Sequence, residues 1–232
     1  MLEAYTDKGG ALIILEQIPP LSSLSTAPIP LADLLAKWGI SIDDDIVVDP
    51  TSATPPFVFA DTQNYGQHPI TAKLRGFNQP FLPGRSIHLG TAPDGVILTA
   101  LAQTDPSAWG ETDLKSTTAS FDPTVDVKGP LVLAAAAENS TTKGRLVVFG
   151  DSAFAADLYY KQGTGGILIN AIDWAANQQD LIGLTPKNNI ARTFNPPDTL
   201  GLIGIVLSSI CLIPLLVIGA GLGAWYTRRR RG

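Results

Sequence analysis

Cysteine is almost missing from this chain. The only one among 232 residues is Cys211, inside an apolar run, so no intrachain disulfide can form and the fold must rest on core packing. Histidine is equally scarce. His68 and His88, twenty residues apart with no cysteine or carboxylate cluster near them, do not make a zinc site. Clustered basic charge is missing outside the last few residues. Setting aside four tail arginines, 12 basic residues face 21 acidic ones, a net of −9, which argues against a nucleic-acid partner. The opening MLEAYTDKGGALIILEQIPP lacks a basic n-region, an apolar h-region and a small-residue cleavage site, so it is no secretory signal. Repeats and low-complexity segments are also missing.

What is present is concentrated at the end of the chain. Leu200 to Tyr226 is 27 residues without a charge, followed by Thr227 and four arginines, Arg228 to Arg231. A helix rising about 1.5 Å per residue needs roughly 20 apolar residues to span a hydrocarbon layer of about 30 Å. The run therefore predicts one transmembrane helix over 199–227, and its lack of a polar face argues against a buried core helix. Trp225 and Tyr226 fall where an aromatic belt belongs, and the arginines mark a cytoplasmic end. Residues 200–231 are expected to contact membrane lipid. Pro214 should kink the span, and Gly219 and Gly223, four apart, would admit a second helix.

This orientation places residues 1–185 outside the membrane as an extracytoplasmic domain, joined by a polar linker, 186–198, to the span, with 228–232 as a basic cytoplasmic tail. An exported domain needs a signal or a further membrane helix. The chain also opens as the end of a helix, Leu2 to Lys8, before a Gly-Gly turn. Both features lead to the expectation that the domain is N-terminally incomplete. The rival is a tail anchor with a cytoplasmic domain, which puts four arginines on the wrong side.

Apolar runs between turn residues predict strands at Ala11–Leu15, Ile46–Asp49, Phe57–Ala60, Ser86–Leu89, Val96–Ala102, Leu131–Ala137, Arg145–Phe149 and Leu181–Thr185. The polar turn Glu138–Gly144 makes the pair before and after it a hairpin. Helices are predicted at Leu31–Trp38, with Gly39 as its stop, at 153–158 and at 166–177, with a short one at Ile70–Leu74. Residues 104–128 read as polar loop. The pattern predicts an α/β domain with a mixed sheet.

Three motifs carry potential chemistry. Phe149-Gly150-Asp151-Ser152 resembles the opening block of GDSL-type hydrolases, with Ser152 as nucleophile, but both histidines lie upstream and neither is in a D-x-x-H pattern. The competing reading is a helix entry capped by Asp151 or Ser152. Asp43-Asp44-Asp45 lacks the alternating ligands of a calcium loop and reads as a solvated turn. Gly163-Thr164-Gly165-Gly166 has no lysine and no P-loop spacing, which makes it a helix-entry loop. His68 reads as a loop-capping residue. The sequence thus assigns no catalytic, cofactor-binding or metal-binding residue and implies no cofactor.

A set of blocks in order resembles the GldG-like auxiliary proteins of ABC-type transport systems. They are Tyr5-x-x-Lys8-Gly9-Gly10, Leu34-Leu35-x-x-Trp38-Gly39-Ile40, Asp45-x-Val47-Val48-Asp49-Pro50, His68-Pro69-Ile70-Thr71, Ser107-x-Trp109-x-Glu111-Thr112, Lys128-Gly129-Pro130, Val148-Phe149-Gly150-Asp151-Ser152-x-Phe154, Asn170-x-x-x-Trp174 and Asp180-Leu181-Ile182. The resemblance implies a Rossmann- or flavodoxin-like domain working beside an ABC permease and its ATPase, in some members tied to gliding motility. It carries no catalytic residues over. The expectation is a single-pass, non-enzymatic accessory subunit of the cell membrane whose outer domain binds a partner or ligand. The alternatives are a membrane-tethered ester hydrolase using Ser152, or a purely structural envelope anchor.

Overall fold

The computed structural model describes residues 1–16, 29, 31–52, 58–60, 64–76, 79–114, 119–156, 159, 165–178 and 198–231. The chain divides into two units, Met1–Lys187 and Asn188–Gly232. In the first unit the described elements are α1 (Leu2–Thr6), β1 (Ala11–Leu15), α2 (Ala32–Ala36), β2 (Ile40–Ile42), β3 (Ile46–Val48), β4 (Val58–Phe59), β5 (Pro80–Phe81), β6 (Ile87–Leu89), β7 (Val96–Gln103), β8 (Trp109–Glu111), β9 (Val127–Lys128), β10 (Val132–Asn139), β11 (Arg145–Phe149), a 3-10 turn at Ala153–Ala155 and α3 (Gly165–Ala175).

β10 and β11 form the centre. They pair antiparallel, Ala134 opposite Phe149 through Glu138 opposite Arg145, as the hairpin reading expects. Strand side chains alternate between faces, and here both faces are covered. Ala134, Ala136, Val147 and Phe149 pack with Phe154, Ile167, Ala171 and Trp174 on one side. Ala135, Ala137, Leu146 and Val148 pack with Leu34, Leu35 and Trp38 on the other. Double coverage is why both strands are nearly uninterrupted apolar runs. Four consecutive alanines in β10 keep the central strand thin enough for both layers to close on it.

The main sheet runs β1-β11-β10-β6-β2, with β7 also pairing β10. β1 and β11 are parallel, Ala11 opposite Arg145 through Leu15 opposite Phe149, while the other described pairs are antiparallel. The sheet is therefore mixed, and it curls. The β7–β10 register shifts twice between Val132 and Ala135, and such irregularities bend a strand. α2 buries Leu34 and Leu35, then stops where Gly39 takes φ +74°. A Cβ there would lie 2.7 Å from the Thr91 carbonyl oxygen, so the glycine is required by space as well as by φ.

Several expectations are corrected. Residues 104–128 are not all loop: β8 and β9 lie within them and join β3 in a three-stranded antiparallel sheet, β3-β8-β9. The segment Ile70–Leu74 forms hydrogen-bonded turns, Thr71 N to His68 O at 3.0 Å and Leu74 N to Thr71 O at 2.9 Å, rather than a helix. The expected helix at 153–158 is a 3-10 turn over Ala153–Ala155, because Ala156 is extended at ψ 147°. The expected strand Leu181–Thr185 and residues 163 and 164 of the Gly163–Gly166 loop lie outside the described residues, while Gly165 and Gly166 open α3.

In the second unit, α4 (Thr199–Leu207), a π turn (Ser208–Leu212) and α5 (Ile213–Arg231) follow one another. Asp198 caps the start, its Oδ1 accepting from Gly201 N at 2.9 Å. Pro214 removes one intrahelical donor, and the wider π turn lies just before it. Gly201–Arg231 is 31 residues and holds an 18-residue stretch with a mean hydropathy of 2.7, long and apolar enough to cross a membrane. Arg229 lies over Trp225 and Arg230 over Tyr226, at 5.2 and 4.5 Å from the ring centroids.

Candidate functional site

The parallel pair β1–β11 ends at Leu15 and Phe149, and α/β folds characteristically place ligands beyond the carboxyl ends of parallel strands. A polar cluster sits there. Glu16 follows β1 and donates its backbone N–H to Phe149 O at 2.9 Å. Gly150-Asp151-Ser152 follows β11. A third strand of chain, Gly84-Arg85-Ser86, crosses the same point, with Arg85 N donating to Gly150 O at 2.9 Å and Val47 N to Gly84 O at 2.8 Å. The crossing is so close that a side chain at Gly150 would run into the Arg85 carbonyl.

Asp151 is buried and acts as a three-way cap. Its Oδ1 accepts from Ala153 N at 2.7 Å, and its Oδ2 accepts from Phe154 N at 3.1 Å and Leu82 N at 3.2 Å. Burial pushes its pKa up, and these backbone donors pull against that rise. Asp151 thus ties the turn after β11 to the segment after β5. Ser152 is half-buried, and among the described residues no hydrogen bond joins it to either histidine. His88 is exposed on β6 opposite Ser41. His68 is turned into the α3 side of the core, 4.7 Å edge-to-face from Trp174, where its Nδ1 accepts from Ile70 N at 3.3 Å. Burial lowers its pKa to about 4, so it is neutral at pH 7.

The Asp43–Asp45 run is solvated only in part: Asp44 is exposed and Asp43 half-buried. Asp45 is buried, its Oδ1 accepting from Ser86 N and its Oδ2 lying by Ser86 Oγ, both at 2.8 Å. Asp43 Oδ2 lies 3.0 Å from the same hydroxyl. A hydroxyl carries one proton and cannot donate to both carboxylates at once. Burial, and to a smaller extent Asp43, push the Asp45 pKa up, against the pull of the Ser86 bonds and of Arg85. Asp44 pairs with the guanidinium of Arg85, Nη1 to Oδ1 at 2.8 Å, although Arg85 is only 1% exposed. Arg85 also faces Glu16, whose pKa burial pushes up while the arginine opposes it. Glu16, Arg85 and Ser86 were missed by sequence reasoning. Their partners lie about seventy or forty residues away, and no local spacing signals such a clasp.

These carboxylates are committed to holding three chain segments together. Among the described residues, no group of three or more His, Cys, Asp or Glu side chains is arranged to hold a metal ion. A shallow cavity of about 130 Å³ lies elsewhere, lined by Glu3, Thr6, Lys37, Trp38, Val96 and Asn139 among others, and an Lys37–Glu3 ion pair of 2.6 Å bridges two of its walls.

A solved structure, the mmIFT52 N-terminal domain, aligns with a TM-score of 0.49 at 17% identity, covering 75% of this chain and 68% of that one. No curated protein matches the chain. A family model does match, over residues 1–182, spanning both core layers and the polar cluster. By that match the chain belongs to the family described as ABC-type uncharacterized transport system, as an auxiliary component.

Proposed function

We propose that the protein is a membrane-anchored, non-enzymatic accessory subunit of an ABC-type transport system, of the GldG-like kind. The observation that carries this reading is the family match over residues 1–182 in a chain that ends in an apolar helix long enough to span a bilayer. The arginines at the end of that helix favour a cytoplasmic C-terminus and an extracytoplasmic domain. The permease and ATPase are its partners in this reading, residues 200–231 contact lipid, and the outer domain engages a partner or ligand. The acidic body argues against nucleic acid as that partner. The parallel β1–β11 pair, with α3 packed beside it, supports a Rossmann- or flavodoxin-like origin for the domain. The capping role of Asp151, which commits the Gly150-Asp151-Ser152 block to holding the turn, favours a non-enzymatic role.

Co-purification from native membranes in mild detergent tests the reading. Stoichiometric recovery of an ABC permease and ATPase with the chain is expected. Repeated recovery of the chain alone overturns it, and ester hydrolysis that disappears in Ser152→Ala overturns the non-enzymatic part.

A further inference from the structure

The end of α5 concentrates positive charge. Arg228, Arg229, Arg230 and Arg231 are consecutive, helical and exposed. In the unit Asn188–Gly232 the only acidic side chain is Asp198, at the far end of the apolar run. At about 1.5 Å per residue the intervening helix separates Asp198 from Arg228 by about 45 Å, several screening lengths at physiological salt. The four guanidiniums therefore draw their counter-charge from outside this unit.

The way they are held indicates where that anion sits. Helical side chains lean toward the N-terminus of their helix. At the C-terminal end of a span they lean back toward the bilayer. Arg229 lies over the Trp225 ring and Arg230 over the Tyr226 ring, each pair one turn apart. Both rings are themselves more than half-exposed or close to it, at 57% and 50%. Tryptophan and tyrosine at the end of a span settle at headgroup depth. Cation–π contact with them holds two guanidiniums at that depth. Such a contact uses the charge of a guanidinium and leaves its in-plane N–H donors for bidentate bonding to phosphate. Arg228 and Arg231 stand one turn after Ala224 and Thr227, which carry no ring, so they add charge without a fixed depth.

We propose that Arg229 and Arg230, seated on Trp225 and Tyr226, form a clamp for the phosphate of an anionic phospholipid such as phosphatidylglycerol. Headgroup depth selects lipid over free phosphate as the source. Net charge selects an anionic lipid over phosphatidylcholine, whose own ammonium balances its phosphate. The clamp rests on the reading of the apolar run as a bilayer span, and it holds for either orientation of the chain.

The test reconstitutes the purified full chain, without permease or ATPase, into equal parts of phosphatidylcholine and phosphatidylglycerol. Spin-labelled forms of the two lipids report which one the protein immobilises. A preference of about ten-fold for phosphatidylglycerol is expected, since each arginine near an anionic surface is worth roughly five-fold. Arg229→Gln with Arg230→Gln should reduce the preference to about two-fold, and Arg228→Gln with Arg231→Gln should keep at least about half of it. Trp225→Leu with Tyr226→Leu keeps all four charges and should lower the preference about three-fold. Equal immobilisation of both lipids overturns the clamp, and so does an equal loss in the two arginine pairs, which would mean diffuse charge alone. Displacement of the lipid by inorganic phosphate, but not by chloride at the same ionic strength, would make free phosphate the ligand and overturn the lipid assignment. Absence of lipid preference together with ATPase recovery that depends on Arg229 and Arg230 would put an acidic protein surface there and also overturn it. Extraction of the chain from vesicles by alkaline carbonate would overturn the span itself, which separates failure of the clamp from failure of the reading beneath it.

Discussion

At the scale of single residues, the end of β11 is held by one carboxylate and one missing side chain. Asp151→Ala leaves the backbone donors of Leu82, Ala153 and Phe154 without their acceptor, and a loss of about 2 kcal/mol in urea unfolding is expected. Gly150→Ala forces a Cβ into the Arg85 carbonyl, and an overpacked crossing of this kind should lose about 3 kcal/mol in the same measurement. His68 makes a pH prediction. Its folded pKa of about 4 lies below the unfolded 6.5, so its contribution is complete above pH 6.5 and is lost as pH falls toward 4. Residual solvent screening reduces that contribution to roughly 1–2 kcal/mol. Glu16, Asp45 and Asp151 act in the opposite sense. Their raised pKa values give stability that is present at acid pH and lost as pH rises through them. The two trends overlap, so the difference between wild-type and His68→Gln unfolding curves isolates the histidine. That difference should shrink between pH 6.5 and 4, and a constant difference contradicts the assignment.

At the scale of elements, legibility in the sequence followed the range of the contacts. β10, β11, α2 and α3 are visible because apolar periodicity and Gly39 specify them locally. β8 and β9 are hidden because they are three- and two-residue strands of mixed polarity, and β8, which sets the register of β9, takes its own from β3, some sixty residues upstream. Asp43–Asp45 looks like a solvated turn until Arg85 and Ser86 arrive from about forty residues downstream. The loop between β8 and β9 is organised by carboxylates in the same way. Glu111 accepts from Trp109 Nε1 and from the amides of Asp113 and Ser120, and Asp126 accepts from Thr112 and from Asp122 N. Asp126 is half-buried in a peripheral loop, so Asp126→Ala should speed amide exchange at Thr112 and Asp122 while moving the global unfolding free energy by less than about 1 kcal/mol. A loss well above that would place this loop in the cooperative core.

At the scale of the whole molecule, a doubly covered α/β domain and an apolar, arginine-tipped helix belong to one chain, and the family match ties that chain to ABC-type transport. The candidate site was legible only in part. Gly150-Asp151-Ser152 stood out in the sequence, but its capping role rests on Leu82, 69 residues away, as much as on its neighbours. The central claim is that the chain works beside a transporter. Its most direct test is a photo-crosslinking residue at Leu222, on the exposed surface of α5, activated in native membranes and followed by mass spectrometry. The account predicts a crosslink to a membrane-spanning helix of an ABC permease. Crosslinks to lipid or to copies of the chain alone would contradict it.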